Sequence, residues 1–249
     1  MPLPYEELDF RATPMGDLIL RRRRIPVLDD LEVLEVKLGD GFLMSSLFHE
    51  VEEALANEGL ATVTAPPGEP LQVVVGGLGL GYTAAAVLKD SRVGQLLVID
   101  IMPAVIEWHQ TGLVPLGPGL TSDHRCRLIE ADFFALAADP AQGFDPLQPG
   151  RRFHAILLDI DHSPDNLLHE RHAPFYSVAG LRKLAAHLLP GGVFALWSDD
   201  PPESTFLQHL AEVFDQPESH IVKFHNPILE RDSESTVYVA RHRTPIGAL

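Results

Sequence analysis

Leu-Gln-Val-Val-Val (71–75) runs directly into Gly-Gly-Leu-Gly-Leu-Gly (76–81) and then into Tyr-Thr-Ala-Ala-Ala-Val-Leu (82–88). An apolar β-branched run, a glycine cluster and an alanine-rich stretch predict strand, turn and helix. Glycines let the chain turn tightly and let a ligand approach main-chain N–H groups where a Cβ would collide. The helix start that follows presents unpaired N–H donors. Such a turn can also be a plain tight connection, so the next strand decides its meaning. That strand is Leu-Leu-Val-Ile-Asp (96–100), and it ends in a carboxylate about twenty residues after the turn. Asp100 at that place can accept both ribose hydroxyls of a nucleoside. It can also cap the helix that starts near Pro103, and the two roles are compatible.

Outward from this unit the same rhythm continues. Apolar runs at 71–75, 95–99, 125–129, 154–158 and 193–197 alternate with helical patterns at 82–88, 103–109 and 173–189. Strands separated by helices predict a mostly parallel, doubly wound α/β sheet covered on both faces. The tail reads helix at 203–214 and strands at 220–224 and 235–240, which would bring the sheet to seven strands with an antiparallel edge. Residues 139–152, rich in Pro, Gly and Gln, read as an exposed loop, and 189–194 as a turn joining a helix to a strand.

Residues 1–65 differ. Short β-like runs at 18–20, 31–36 and 42–43 are divided by glycine turns, and a helical pattern follows at 46–56. The expected organisation is a small β-rich N-terminal part over 1–65 and a Rossmann-like domain over 66–249.

The chain has 249 residues, 45% of them hydrophobic, and a net charge of −16 with histidines neutral. Such a charge repels a nucleic acid across most of the surface. The one basic run, residues 21–24, reads as a solvated strand end rather than an anion site. No apolar run approaches the roughly 18–20 residues of a membrane span. No signal peptide is expected at the N-terminus. The single cysteine, Cys126, excludes an internal disulfide and reads as a small core residue. The expectation is a cytoplasmic protein acting on a small molecule.

Two nucleotide readings survive the turn itself. Gly79–Ala84 fits G-x-G-x-x-A, which leaves a nicotinamide dehydrogenase open. The S-adenosyl nucleoside is favoured by Glu130-Ala131-Asp132-Phe133-Phe134 after the third strand. There a carboxylate, Asp132, could take an adenine amino group, beside apolar rings that could flank the base.

In these residues the chain resembles the spermidine synthase-like (polyamine biosynthesis) family of the S-adenosylmethionine-dependent methyltransferase superfamily. Thr13–Leu18 looks like the family's N-terminal hairpin, and Phe48-His49-Glu50 its Tyr-His-Glu segment. Gly76–Gly81 stands where the family has Gly-Gly-Gly-Asp-Gly-Gly. Asp100 takes the ribose position, Asp132 the adenine position, and Leu157-Leu158-Asp159 the place of the catalytic aspartate; Leu167-Leu168…Phe175-Tyr176 matches the lid and helix pattern. The resemblance implies a seven-stranded fold of class I methyltransferase type, a nucleoside site and a homodimer. The nucleoside contacts it implies are Gly76, Gly77, Gly79 and Gly81 on the turn, with Asp100 and Ile101. Ala131, Asp132, Phe133 and Asp159 complete them.

Three departures bear on chemistry. Gly79 stands where the family's turn has an aspartate for the amino end of the aminopropyl group. A carboxylate there would repel the donor's own carboxylate and select a decarboxylated donor. Phe48 lacks the hydroxyl of the usual Tyr, and Asn226–Glu230 stands in place of a Tyr-Pro-Ser-Gly-like segment. S-adenosylmethionine itself is therefore the expected donor and methyl transfer the expected reaction. Aminopropyl transfer from decarboxylated S-adenosylmethionine is the alternative, and a non-catalytic nucleoside-binding scaffold is a further one.

Transfer from a sulfonium carbon needs an acceptor held in line and, where required, a proton removed. Asp159, at the carboxyl end of a central strand, is the first candidate for both tasks, against a purely structural cap. Asp161 and His162 follow on the same loop, where His162 could be a base near neutral pH or an ordinary loop histidine. The resemblance suggests that His49 and Glu50 face the acceptor, against an ordinary polar helix face. Asp199, after the fifth strand, could line the pocket mouth. His162, His169 and His172 lie near Glu170, but their spacing fits no zinc signature, so no metal is expected. Tyr176 and Trp197 read as core.

Overall fold

A computed structural model describes residues 5–243. They form two compact units. One takes the chain through Glu50 together with Lys223–Ser233; the other takes Val51–Val222 and the chain from Glu234.

The first unit is an antiparallel meander of β1 (Tyr5–Thr13), β2 (Gly16–Ile25), β3 (Leu31–Leu38) and β4 (Gly41–Ser45). Leu18 and Leu20 are buried while Ile19 between them and the arginines that follow are not. That is the period-two alternation of a one-sided sheet. β1 went unread in the sequence because most of its residues are exposed and carry no such alternation. The basic run lies along β2 and is paired with carboxylates across the ladder. Arg21 and Arg23 hold the buried Glu35 at 2.6 and 3.0 Å, Arg22 meets Glu6 at 3.2 Å, and Arg24 meets Glu32 at 3.6 Å. The helix expected at 46–56 is instead α1 (Glu50–Thr62). The hydroxyls of Ser45 and Ser46 accept the N–H groups of Leu47 and Leu34 at 3.1 and 2.9 Å, which keeps the chain extended past β4.

The second unit is a seven-stranded, mostly parallel sheet flanked by helices. Its strands are β5 (Leu71–Gly76), β6 (Val93–Asp100), β7 (Cys126–Glu130), β8 (Phe153–Leu158), β9 (Leu188–Ser198), β10 (Asp215–Asn226) and β11 (Arg231–Arg241), in the order β10-β11-β9-β8-β5-β6-β7. β5 pairs in parallel with β6 and β8, β9 in parallel with β8, and β11 antiparallel with β9. Val73, Val74, Val75, Leu157 and Leu158 are fully buried, so these strands are apolar on both faces. The helices are α2 (Tyr82–Lys89), α3 (Pro103–Gln110), α4 (Gly117–Ser122), α5 (Phe133–Ala137), α6 (Val178–Ala185) and α7 (Ser204–Val213). Strand order reverses beside β5, so the loops leaving β5, β6 and β8 open at a topological switch point.

Three local expectations are corrected. The helix at 173–189 is a 3-10 turn (Glu170–Tyr176) followed by the shorter α6. Pro174 lacks an N–H, and the Ser177 hydroxyl accepts the N–H of Gly180 at 3.1 Å to start a new helix. The turn at 189–194 lies inside β9, where Gly191 (φ 75°) and Gly192 accompany a register shift against β8. The loop at 139–152 is not wholly exposed. It sends Phe144 and Asp145 into the interior, and Asp145 is met by Arg151 at 2.8 Å and Arg127 at 3.2 Å.

Candidate functional site

The glycine turn has the strained geometry that only glycine takes easily. Gly77, Gly79 and Gly81 have φ of 95°, 48° and 94°. A Cβ on Gly77 would stand 2.0 Å from the carbonyl oxygen of Asp159. The loops leaving β5 and β8 therefore touch backbone to backbone, and Asp159 N–H donates to the Gly76 carbonyl at 2.8 Å. Behind the turn lies His109 of α3, fully buried. Its Nε2 meets the Gly79 carbonyl at 3.0 Å. A carbonyl can only accept, so Nε2 carries the proton. Burial pushes this imidazole below its ordinary pKa and keeps it neutral.

Asp100 ends β6 and faces this turn. Its two carboxylate oxygens accept the main-chain N–H groups of Leu78 at 2.9 Å and Met102 at 2.8 Å. Burial raises its pKa, and N–H bonds from Met102, Leu78 and Gly79 oppose that rise. A carboxylate offers about four lone-pair sites, so these three N–H groups leave acceptor capacity for one further hydroxyl. Ile101 follows, 38% exposed, as an apolar surface beside the carboxylate. The Ala131 N–H donates to the Asp100 carbonyl at 3.0 Å, which ties the end of β7 to the end of β6.

Asp132 caps α5, with Oδ1 accepting from Phe134 at 3.0 Å and Ala135 at 3.2 Å. Its Oδ2 stands 3.8 Å from Arg171. Asp132 also borders a cleft of about 380 Å³ that Phe134, Arg171, Pro174 and Phe175 help to line. The ring of Phe133 points into the core, stacked on Phe144 at 5.0 Å and packed under Gly76. Phe134, not Phe133, is the partly exposed ring of this pair.

Asp159, half-buried at the exit of β8, accepts one side-chain hydrogen bond, from Thr83 Oγ1 to Oδ2 at 2.8 Å. Burial pushes its pKa up to about 6, and the Thr83 hydroxyl opposes that rise. Asp161, two residues on, is fully buried and satisfied from within. Oδ1 meets His172 Nδ1 and the Leu168 N–H, each at 2.8 Å, and Oδ2 takes the Tyr176 hydroxyl at 2.8 Å. His172 in turn stacks on Phe134 at 3.9 Å. Asp161 thus fastens its loop to the 3-10 turn rather than offering a free carboxylate. The His162 carbonyl accepts the Asp199 N–H at 2.7 Å, and the exposed Asp199 accepts Ser235 Oγ at 3.3 Å. Close in sequence to these, Glu203 is pushed up to about 7 by burial and by the carboxylates of Asp165 and Asp200.

The structure therefore gathers Gly76, Gly77, Gly79, Gly81, Asp100 and Asp159 around one turn, with Ala131 joined to it through β6. His49 and Glu50 belong to the first unit, where the His49 N–H donates to Glu50 Oε2 at 3.0 Å and Phe48 packs on Phe224 at 5.4 Å. Thr83 and His109 were not singled out in the sequence, and His172 was named there only within a histidine group set aside as a metal site. A hydroxyl in the first turn of the helix after the glycines was the one readable signal among them. Among the described residues no group of three or more His, Cys, Asp and Glu is arranged to hold a metal ion, and no helix is long and apolar enough to cross a membrane.

No family model matches the chain. It is 27% identical over 212 residues to polyamine aminopropyltransferase 2 of Pseudomonas aeruginosa, covering 80% of this chain and 55% of that one. It is 25% identical over 183 residues to the polyamine aminopropyltransferase of Oceanobacillus iheyensis, covering 72% and 32%. The chain thus spans about half or less of the lengths of these relatives. Among solved structures it resembles a spermidine synthase in complex with the transition state analogue AdoDATO (TM-score 0.70, 16% identity, 94% of this chain and 73% of that one). It also resembles human methyltransferase-like protein 13 in complex with SAH (TM-score 0.57, 20% identity, 80% and 85%). The fold is that of the S-adenosylmethionine-dependent methyltransferases with a small antiparallel N-terminal sheet, and in sequence the chain is similar to polyamine aminopropyltransferases.

Proposed function

We propose that this chain is a transferase of aminopropyltransferase type, which takes an alkyl group from decarboxylated S-adenosylmethionine to a small amine. The observation that carries the reading is the meeting of Asp159 with the glycine turn, a half-buried carboxylate of raised pKa against bare backbone. The likeness to polyamine aminopropyltransferases selects the group transferred.

The chain's residues fit an adenosyl donor. Asp100 keeps acceptor capacity for a ribose hydroxyl, Ile101 offers an apolar face, and Asp132 Oδ2 is left over from the helix cap for an adenine amino group. The glycines at 77, 79 and 81 leave the main chain bare where the sulfur end would pass. The donor supplies an activated sulfonium carbon. Asp159 attracts the acceptor's ammonium group and accepts its proton at the carboxylate. A pKa of about 6 lets it be ionised at neutral pH and still bind a proton. His162 and Asp199, joined through their main chains, border the same loop, and we assign them to the acceptor side. Assembly as a homodimer and a cytoplasmic location remain part of this proposal.

A second reading, methyl transfer from S-adenosylmethionine itself, is favoured by Gly79, which removes a carboxylate that would repel the donor's own. Product analysis separates the two. The protein is incubated with a small diamine and either donor, and the nucleoside product is identified by mass spectrometry. 5′-Methylthioadenosine from the decarboxylated donor is expected. S-adenosylhomocysteine from the carboxylated donor would install the second reading, and tight binding of 5′-methylthioadenosine with no product from either donor would leave a scaffold.

A further inference from the structure

Thr83 lies two residues past the last glycine of the turn, in the first helical turn of α2, and is 3% exposed. A threonine inside a helix usually turns its hydroxyl back to the carbonyl four residues earlier. For Thr83 that carbonyl belongs to Gly79, and it is engaged by His109 Nε2 at 3.0 Å. The Thr83 hydroxyl points the other way and donates to Asp159 Oδ2 at 2.8 Å. Asp159 is fixed from its main chain as well, through its N–H on the Gly76 carbonyl. Its second carboxylate oxygen accepts no hydrogen bond among the described residues. A carboxylate anchored through one oxygen and through its own backbone has a single free oxygen with a defined direction.

We propose that Thr83 is a positioning residue for Asp159: its hydroxyl clamps one carboxylate oxygen so that the other is presented to the acceptor's amine. The clamp comes from the helix that follows the glycine turn, in a chain whose turn carries Gly79 instead of a carboxylate. This deepens the transferase reading and rests on it. The charged groups on the surrounding segments are Asp161 and His162 on the same loop, Asp199 after β9 and Asp100 across the turn. Asp161 is consumed by His172, Leu168 and Tyr176, and Asp100 is turned to the main chain of Leu78 and Met102 and, in the proposed function, to the ribose. Burial raises the Asp159 proton affinity, and the Thr83 hydroxyl lowers it by favouring the ionised form.

The test compares Thr83→Val, which keeps the shape and deletes the hydroxyl, with Thr83→Ser, which keeps the hydroxyl. The Asp159 carboxyl carbon is followed by NMR through a pH titration on protein labelled at aspartate carboxyls, its signal assigned by its loss in Asp159→Asn. The midpoint is expected to rise by about one pH unit in T83V, as befits one lost hydrogen bond to a charged group, and to return in T83S. An unchanged midpoint in folded T83V, or one raised equally in T83S, would overturn the clamp. The titration needs no turnover, so it judges the clamp even if product analysis defeats the transferase reading. With turnover, T83V is expected to lower kcat about tenfold with donor affinity within threefold of wild type. In the Asp159→Asn background the same change should have no further effect. A full additional loss there would show that Thr83 acts by another route.

Discussion

Asp145 and Asp159 lie in the same unit, both largely out of solvent, and their proton affinities move in opposite directions. Asp145 sits in the loop after α5 between the guanidinium groups of Arg127 and Arg151 and accepts the Leu147 N–H at 3.0 Å, so its pKa falls below the usual carboxylate range. Asp159 stands at the carboxyl end of the sheet with one hydroxyl for a partner, and its pKa rises to about 6. A buried carboxylate with two cations beside it is finished as structure. A buried carboxylate with none is unfavourable until something cationic arrives, which is what an amine-binding site requires.

Breaking the first of the pair should have the largest effect. Asp145→Ala leaves two arginines facing a lost partner and is expected to cost about 3–4 kcal/mol in chemical denaturation, near the lower end for a buried pair because Arg127 is 31% exposed. A loss under about 1 kcal/mol would mean that the two sites do not differ as described.

The second effect is a pH dependence of the fold. Because the folded pKa of Asp159 is raised, the folded state binds its proton more tightly than the unfolded chain. Its contribution is present at acid pH and is lost as pH climbs from the ordinary carboxylate range through about 6. About 2–3 kcal/mol should disappear between pH 4 and pH 8 from this group, and Asp159→Asn should flatten that slope. The Asp145 term has the opposite sign, being present at neutral pH and lost on acidification below the usual carboxylate range. Denaturation curves that run parallel for wild type and D159N across this window would remove the contrast.

A smaller change sharpens the picture at the turn. Asp100→Ala removes the acceptor of the Leu78 and Met102 N–H groups and the proposed ribose contact. Affinity for 5′-methylthioadenosine, measured by calorimetry, is expected to fall about 10- to 100-fold. Unaltered affinity would take the nucleoside away from this turn. The smallest effect belongs to Arg171→Ala. Its pair with Asp132 spans 3.8 Å and the guanidinium is 46% exposed, so stability should move by less than about 0.5 kcal/mol.

The N-terminal unit was legible only in part. The alternation of Leu18 and Leu20 on β2 marked a strand, but β1, mostly exposed, had no pattern to read. The start of α1 was misread because two serine hydroxyls hold the preceding residues extended, a contact made partly with Leu34, twelve residues away. The long helix at 173–189 was misread because the apolar spacing ran on through Pro174 and Ser177, where the chain restarts.

Sequence by itself determined the doubly wound sheet, the glycine turn and the carboxylates at 100, 132 and 159. Those features are local: short apolar runs, φ-permissive residues and strand ends, all written in neighbouring positions. Tertiary structure alone decided which carboxylate is spent and which is left over. Asp161 and Asp159 stand two residues apart on one loop, yet the first is consumed by His172 and Tyr176 while the second meets only Thr83, seventy-six positions earlier. The reason is that a carboxylate's chemistry is set by desolvation and by the donors within about 3 Å of it. Distance along the chain says nothing about which donors those will be.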